Sequence, residues 1–109
     1  MDHESIFLSV ITLVELRRGV QLLPQGKRRE QFDEWLLNDV ADAYEGRILP
    51  VTAAIADLAG RIGATAKQAG YSVELSDVLI AATALEHGLA VVTLNRKHFE
   101  RLGVDLVEF

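Results

Sequence analysis

Short apolar segments alternate with helical patterns along this 109-residue chain, and that alternation restricts the folds it can adopt. Four short segments have the apolar character of buried strands, and longer segments between them repeat apolar residues at helical spacing. This order of strands and helices predicts an α/β domain with a parallel or mostly parallel sheet. The predicted strands are Ile6–Val10, Arg47–Val51, Leu89–Leu94 and Val104–Val107, and the predicted helices are Leu13–Leu22, Lys27–Tyr44, Thr52 to a stop at Gly70, Asp77–His87 and a short turn at His98–Leu102.

The composition is that of one small globular domain, because half of the residues are apolar and 25% are charged. The absence of cysteine excludes disulfides and thiolate metal sites, and it fits the reducing cytoplasm. No apolar run reaches the roughly 18 residues that a membrane span needs. The net charge of −5 argues against strong non-specific nucleic-acid binding, which depends on basic residues. It is compatible with a nuclease whose carboxylates bind cations.

Polar side chains stand where predicted strands end and helices begin. Glu15 follows the first strand, Asp77 lies in the first turn of a nearly all-apolar helix, and Asn95 follows the third strand. Because ligands bind beyond the carboxyl ends of parallel strands, we expect these residues at one edge of the sheet. The two carboxylates would be hard oxygen ligands for Mg²⁺ or Mn²⁺. The amide of Asn95 would orient a water molecule or a substrate oxygen.

Each of these residues also has an explanation that needs no chemistry. Thr12 and Glu15 have the spacing of a capping box, with Thr12 as the N-cap. Asp77 would be stabilised by the helix dipole in a helix capped by Ser76, and Asn95 suits a turn. The residues alone leave both explanations open.

Three segments, taken in their order along the chain, resemble the acidic motifs of the PIN-domain family, in particular VapC toxins and FitB-type proteins. The segments are Ser9–Gly19 with Glu15, Leu75–Gly88 with Asp77, and Thr93–Phe99 with Asn95. The terminal residues 103–107 are similar to the family's last strand. The resemblance extends over essentially the whole chain and implies a three-layer α/β/α fold around a mostly parallel sheet.

The chain departs from the family pattern in two places. Residues 1–5 look like the loop before the family's second strand, so the N-terminal central strand, which ends in an Asp-Thr-Asn motif, is expected to be missing. The missing part would be about 35–40 residues, the size of a strand–helix unit. We expect a separate segment of the same protein to fill that place, because buried unpaired backbone groups are costly. His98 stands where many relatives carry an acidic residue, and it has no second histidine at zinc-ligand spacing.

The resemblance implies a Mg²⁺- or Mn²⁺-dependent ribonuclease toxin of a toxin–antitoxin system. Glu15 and Asp77 would hold the cation, and Asn95 would complete the catalytic set. Thr12 and Arg96 would contact the RNA. A water molecule would attack the scissile phosphate in line while the cation stabilises the developing charge.

The resemblance also implies partners. These are the RNA substrate, a cognate antitoxin protein and a second copy of the chain, bound through the helices from Leu13 to Tyr44. The alternative is a catalytically inactive PIN remnant that acts as an antitoxin-binding or dimerisation module. A third possibility is a structural α/β domain with no catalytic history.

Overall fold

The computed structural model describes residues 5–108, and the chain divides after Pro50 into two compact units. Residues 1–4 of the loop expected at the start of the chain lie outside the described part. Within that part, no helix is both long enough and apolar enough to cross a membrane. Each unit combines helices with short parallel strands, as the alternation in the sequence predicts.

The described part of the first unit contains two uninterrupted helical stretches, of which the second comprises three consecutive elements, and one pair of parallel strands. Leu8 lies opposite Ile48 in the ladder. The buried residues Val20, Leu36 and Val40 form its core. Its elements are β1 (Leu8–Ser9), α1 (Val10–Leu22), α2 (Lys27–Glu34), a π-helical segment (Trp35–Val40), α3 (Ala41–Ala43) and β2 (Ile48–Leu49).

Helix α1 begins three residues before the predicted start. Ser9 is its N-cap, and the Ser9 hydroxyl accepts a hydrogen bond from the backbone N–H of Ile11 at 3.1 Å. Thr12 therefore lies inside the helix, and the predicted capping box of Thr12 and Glu15 is wrong. The reason is local, because Ser9 sits in extended backbone and caps the helix before Thr12 is reached. The same cap shortens the predicted first strand.

The predicted helix Lys27–Tyr44 is present, but its inner face differs from the one predicted from helical spacing, which comprises Phe32, Trp35, Leu36, Val40 and Ala43. Leu36 and Val40 are buried, whereas Phe32 and Trp35 are exposed and meet edge to face with ring centroids 6.2 Å apart. The prediction assumed a 3.6-residue period throughout. The π-helical turns that start at Trp35 break this period. Phe32 lies before these turns, and its ring is exposed beside the Trp35 ring that it contacts.

The second unit is built on two helices packed against each other. Thr52 caps the first by accepting a hydrogen bond from the Ile55 N–H at 3.2 Å, and Gly70, at φ +90°, ends it as predicted. Val91 lies opposite Leu106 in a second parallel ladder. The elements are α4 (Ala53–Gln68), α5 (Leu75–Glu86), β3 (Val91–Thr93), a 3₁₀ turn (Arg96–His98) and β4 (Leu106–Glu108).

Three details of the second half of the prediction are corrected. Helix α5 begins at Leu75 with Glu74 as N-cap and no side-chain capping bond, so Ser76 is not the cap. The helical turn expected at His98–Leu102 lies earlier, as the 3₁₀ turn. The strands have only two or three residues each, so they pair as one short parallel ladder per unit instead of one continuous sheet.

Candidate active site

Asp77 is held in the first turn of α5 by the core beside it. Val78, the next residue, is buried in the cluster that joins α5 to Ile55 and Ala59 of α4. The side chain of Asp77 is only 13% exposed. A carboxylate withdrawn from water to this extent needs compensation for its charge. A cation bound beside Asp77 would therefore stabilise its negative charge strongly.

Two ionisable neighbours act on the Asp77 carboxylate. His98 Nδ1, in the 3₁₀ turn after β3, lies 3.5 Å from Asp77 Oδ2. Burial raises the pKa of Asp77 above its usual value, the nearby His98 opposes part of that shift, and Glu74 adds to it. The negative charge of the ionised Asp77 carboxylate is thus only partly compensated by its surroundings. A bound cation would supply the missing compensation.

The turn after β3 fixes the backbone around Asn95. The Asn95 N–H donates to the buried Thr93 hydroxyl at 2.9 Å, and the Asn95 carbonyl accepts from the His98 N–H at 3.0 Å. Asn95 and Arg96 are both exposed. The turn role that we weighed for Asn95 is present, and it does not exclude a chemical role for the side chain. The second unit thus brings Asp77 and His98 together and carries Asn95 in the same turn as His98.

Glu15 and Thr12 lie on α1, in the first unit. Glu15 is exposed and Thr12 is partly buried. Because Ser9 caps the helix, the capping explanation of Glu15 no longer applies. The nearby Arg17 pairs with Asp33 at 2.6 Å. The role of Glu15 as a metal ligand stays a prediction.

The chemistry of the second unit fits a hard divalent cation that keeps most of its water. Among residues 5–108, no three His, Cys, Asp or Glu side chains form a group that could hold a metal. Mg²⁺ is commonly held by only one or two carboxylates, together with water and substrate phosphates. The nearly buried, partly balanced carboxylate of Asp77 suits such a cation.

Sequence reasoning missed the contact between Asp77 and His98. The two residues are distant along the chain, and only the path through α5 and β3 brings them together. Helical or strand periodicity carries no signal of such a contact. The available signal was the motif position, because His98 stands where the family pattern often has an acid.

Comparison with known proteins assigns this architecture to a family. The model of the PIN domain matches residues 1–105, and the chain belongs to the PIN-domain family. The chain is 38% identical over 104 residues to "VapC ribonuclease Y4jK" of Sinorhizobium fredii, covering 95% of this chain and 74% of that relative. It is also 38% identical over 96 residues to "Toxin FitB" of Neisseria gonorrhoeae, covering 88% of this chain and 69% of the relative.

Solved structures share the fold. The crystal structure of FitAcB from Neisseria gonorrhoeae matches with a TM-score of 0.90 at 36% identity, over 97% of this chain and 76% of that chain. The crystal structure of VapBC2 from Rickettsia felis, bound to a DNA fragment from their promoter, matches with a TM-score of 0.81 at 27% identity, over 98% and 78% of the two chains. These matches confirm the predicted α/β fold of the PIN type.

Proposed function

We propose that this chain acts as a divalent-cation-dependent ribonuclease toxin of a toxin–antitoxin system. The observation that carries the proposal is Asp77, a nearly buried carboxylate at the start of α5 whose ionised form is only partly balanced. Two relatives named as a VapC ribonuclease and as Toxin FitB support the class of activity. The cytoplasm is the proposed location, because the RNA substrate is there.

Each candidate residue has a proposed role in the reaction. Asp77 and Glu15 would hold Mg²⁺ or Mn²⁺ through their carboxylate oxygens. When bound, the cation supplies positive charge beside the scissile phosphate. Asn95 would orient a water molecule or a substrate oxygen through its amide.

Two further residues have proposed roles in substrate binding. Arg96 would contact a phosphate, because its guanidinium carries the charge and the donors that phosphate oxygens accept. Thr12 would offer a hydroxyl to the RNA backbone. We assign no covalent intermediate on the protein, because hydrolysis by water needs none.

The proposed partners are an antitoxin protein and a second copy of the chain. The first unit exposes several large apolar side chains, which favours a binding surface there. The exposed apolar residues of this unit include Val14, Leu22, Trp35 and Leu37. A solved relative from Mycobacterium tuberculosis, VapBC-5, is described as a member of the VapBC family of toxin–antitoxin systems, which supports a partner of the antitoxin kind.

An inactive binding module is the second candidate. Its support is that no group of three potential metal ligands occurs among residues 5–108. A binding module would keep the exposed apolar face of the first unit and would need no cation. The two candidates differ in what a change at Asp77 does, because only the nuclease depends on that carboxylate.

RNA cleavage by Asp77→Asn separates these candidates. We expect the variant, and the wild-type protein in EDTA, to lose about 10²-fold or more of the rate, the loss typical of removing one electrostatic stabiliser. Asp57→Asn is the matched control, because Asp57 is an exposed carboxylate on α4 paired with Arg61. It should cleave at the wild-type rate. Unchanged cleavage by Asp77→Asn, or by EDTA-treated protein, would contradict the proposal.

Glu15→Gln tests whether Glu15 serves the same step. Carboxylates that act as a unit have non-additive effects, so the double variant with Asp77→Asn should be no slower than the slower single variant. If the loss of rate in the double variant equals the product of the two single losses, Glu15 has a role separate from that of Asp77. Circular dichroism of each variant checks that the fold is retained.

Light scattering tests the partner proposal. We expect a homodimer at tens of micromolar protein and a larger complex after addition of the protein encoded beside this gene. A monomer that binds no such protein would contradict this part of the proposal. The cleavage test would still decide whether the chain is a nuclease, because it does not depend on the oligomeric state.

A further inference from the structure

We propose that His98 is a further ligand in the cation site, beside Asp77, so that the second unit offers one oxygen and one nitrogen donor to a transition-metal ion such as Mn²⁺. The inference rests on the proposed cation role of Asp77 and adds a nitrogen ligand at a position where the family pattern often has an acidic residue. Its starting point is the separation of 3.5 Å between His98 Nδ1 and Asp77 Oδ2.

That separation is too long for a good hydrogen bond and suits two ligands of one ion. N–H···O hydrogen bonds in proteins have donor–acceptor distances of about 2.7–3.2 Å. Two donors, each about 2.1 Å from a shared ion and about 90–110° apart, are separated by roughly 3.0–3.5 Å. The Asp77–His98 pair lies at the upper end of that range. A cation could therefore bind both atoms with little movement of either side chain.

The backbone at both donors lies next to core residues. Asp77 precedes the buried Val78 in α5, and His98 precedes the buried Phe99. The 3₁₀ turn is closed by a hydrogen bond from the His98 N–H to the Asn95 carbonyl at 3.0 Å. A backbone anchored in this way limits the movement needed to bring both side chains to one ion, which favours binding. The His98 side chain is 56% exposed, so an ion can enter from solvent.

The types of donor atom determine which ion the site binds more tightly. Mg²⁺ prefers oxygen ligands, whereas first-row transition metals also accept imidazole nitrogen, and Mn²⁺ binds most weakly among them. A site made only of carboxylates would lose little when His98 is changed. A site that includes the imidazole should lose affinity for Mn²⁺ and keep its affinity for Mg²⁺.

Calorimetric titration of EDTA-stripped protein with Mn²⁺ and with Mg²⁺ tests this distinction. We expect His98→Asn to weaken Mn²⁺ binding about tenfold or more, the lower end of the loss typical of groups that support a metal site. Mg²⁺ binding should change by less than about threefold. His87→Asn is the matched control, because His87 is an exposed histidine at the other end of α5. It should change neither affinity.

Electron spin echo spectroscopy of Mn²⁺-loaded protein gives a second readout that needs no activity. Wild type and His87→Asn should show nitrogen modulation from a bound imidazole, and His98→Asn should lose it. Absence of nitrogen modulation in the wild-type spectrum would overturn the inference even without a variant.

Asp77→Asn distinguishes failure of this inference from failure of the proposed function. If it abolishes binding of both ions while His98→Asn changes neither, His98 is not a ligand and the cation role of Asp77 stands. If Asp77→Asn binds both ions as the wild type does, the oxygen–nitrogen pair is overturned together with that role. Cleavage of RNA by the same variants then reports separately on the activity.

Discussion

Replacing Ile55 by alanine should destabilise the second unit by about 3 kcal/mol. Ile55 has no exposed surface and belongs to the core between α4 and α5. The substitution removes three carbon atoms, which at about 0.8 kcal/mol each contribute roughly 2.4 kcal/mol of transfer free energy. The neighbours Ala59, Ala81 and Ala82 are small, so few atoms can move into the space and a cavity term adds to the cost.

A graded series makes the Ile55 prediction specific. Ile55→Val removes one carbon atom and should cost about 1 kcal/mol. Leu75→Ala is the control, because Leu75 is an apolar residue of α5 that is 72% exposed. Its truncation should change the free energy of unfolding by no more than about 0.5 kcal/mol. Burial, rather than the chemical change, would then account for the cost at Ile55.

Urea unfolding measures these differences. With a denaturant slope of about 1–3 kcal/mol per molar, a loss of 3 kcal/mol lowers the midpoint by roughly 1–3 M. Circular dichroism reports on helices of both units, and fluorescence reports on Trp35, the single tryptophan, in the first unit. Coincident transitions would support two-state analysis. A cost at Ile55→Ala below about 1 kcal/mol, or equal to that of Leu75→Ala, would refute the idea that this core holds α5 and Asp77 in place.

Three further predictions concern stability. Thr52→Ala should cost about 0.5–2 kcal/mol in urea because it removes the cap of α4, and Thr52→Ser should not. Asp77→Asn should raise the melting temperature of the cation-free protein at pH 7. Because burial raises the pKa of Asp77, its stabilising contribution is present when it is protonated and is lost as pH rises through the native pKa. The advantage of asparagine should therefore vanish near pH 3, below the unfolded-state value of about 3.9; a lower melting temperature at pH 7 would contradict this sign. Gly60→Ala should stabilise α4 by about 0.5–1 kcal/mol in urea, because a methyl group there meets open space, and a loss of stability would show that assumption to be wrong.

Regular helices with local end signals were predictable from sequence. The stripe that includes Ile55, Ala59 and Ala66 is buried in α4, and the stop at Gly70 is where it was predicted. Both follow from a 3.6-residue period and from a glycine at positive φ. The same 3.6-residue period gave a wrong burial prediction for Trp35, because no local sequence signal indicates a π-helical turn.

The candidate site was predictable only in part. The place of Asp77 in a first helical turn next to buried residues follows from the apolar run after it. The hydroxyl that caps α1 was misassigned because Ser9 and Thr12 are both good N-cap residues, and sequence does not decide between them. The approach of His98 to Asp77 depends on tertiary structure, which local sequence patterns do not predict. The proposal that Glu15, in the first unit, is a metal ligand rests on the family motif.

The direction of the Asp77 pKa shift separates the two explanations for this residue. If Asp77 were present to stabilise the N-terminus of α5, the helix dipole would favour its charged form and lower its pKa. Its pKa is raised instead, because burial outweighs the help from His98, and Glu74 adds repulsion. A residue in this position reduces stability at neutral pH when it is ionised, and a neutral amide of the same shape would fold at least as well. This direction supports the proposed role of Asp77, because a divalent cation would convert the unfavourable charge into a favourable one.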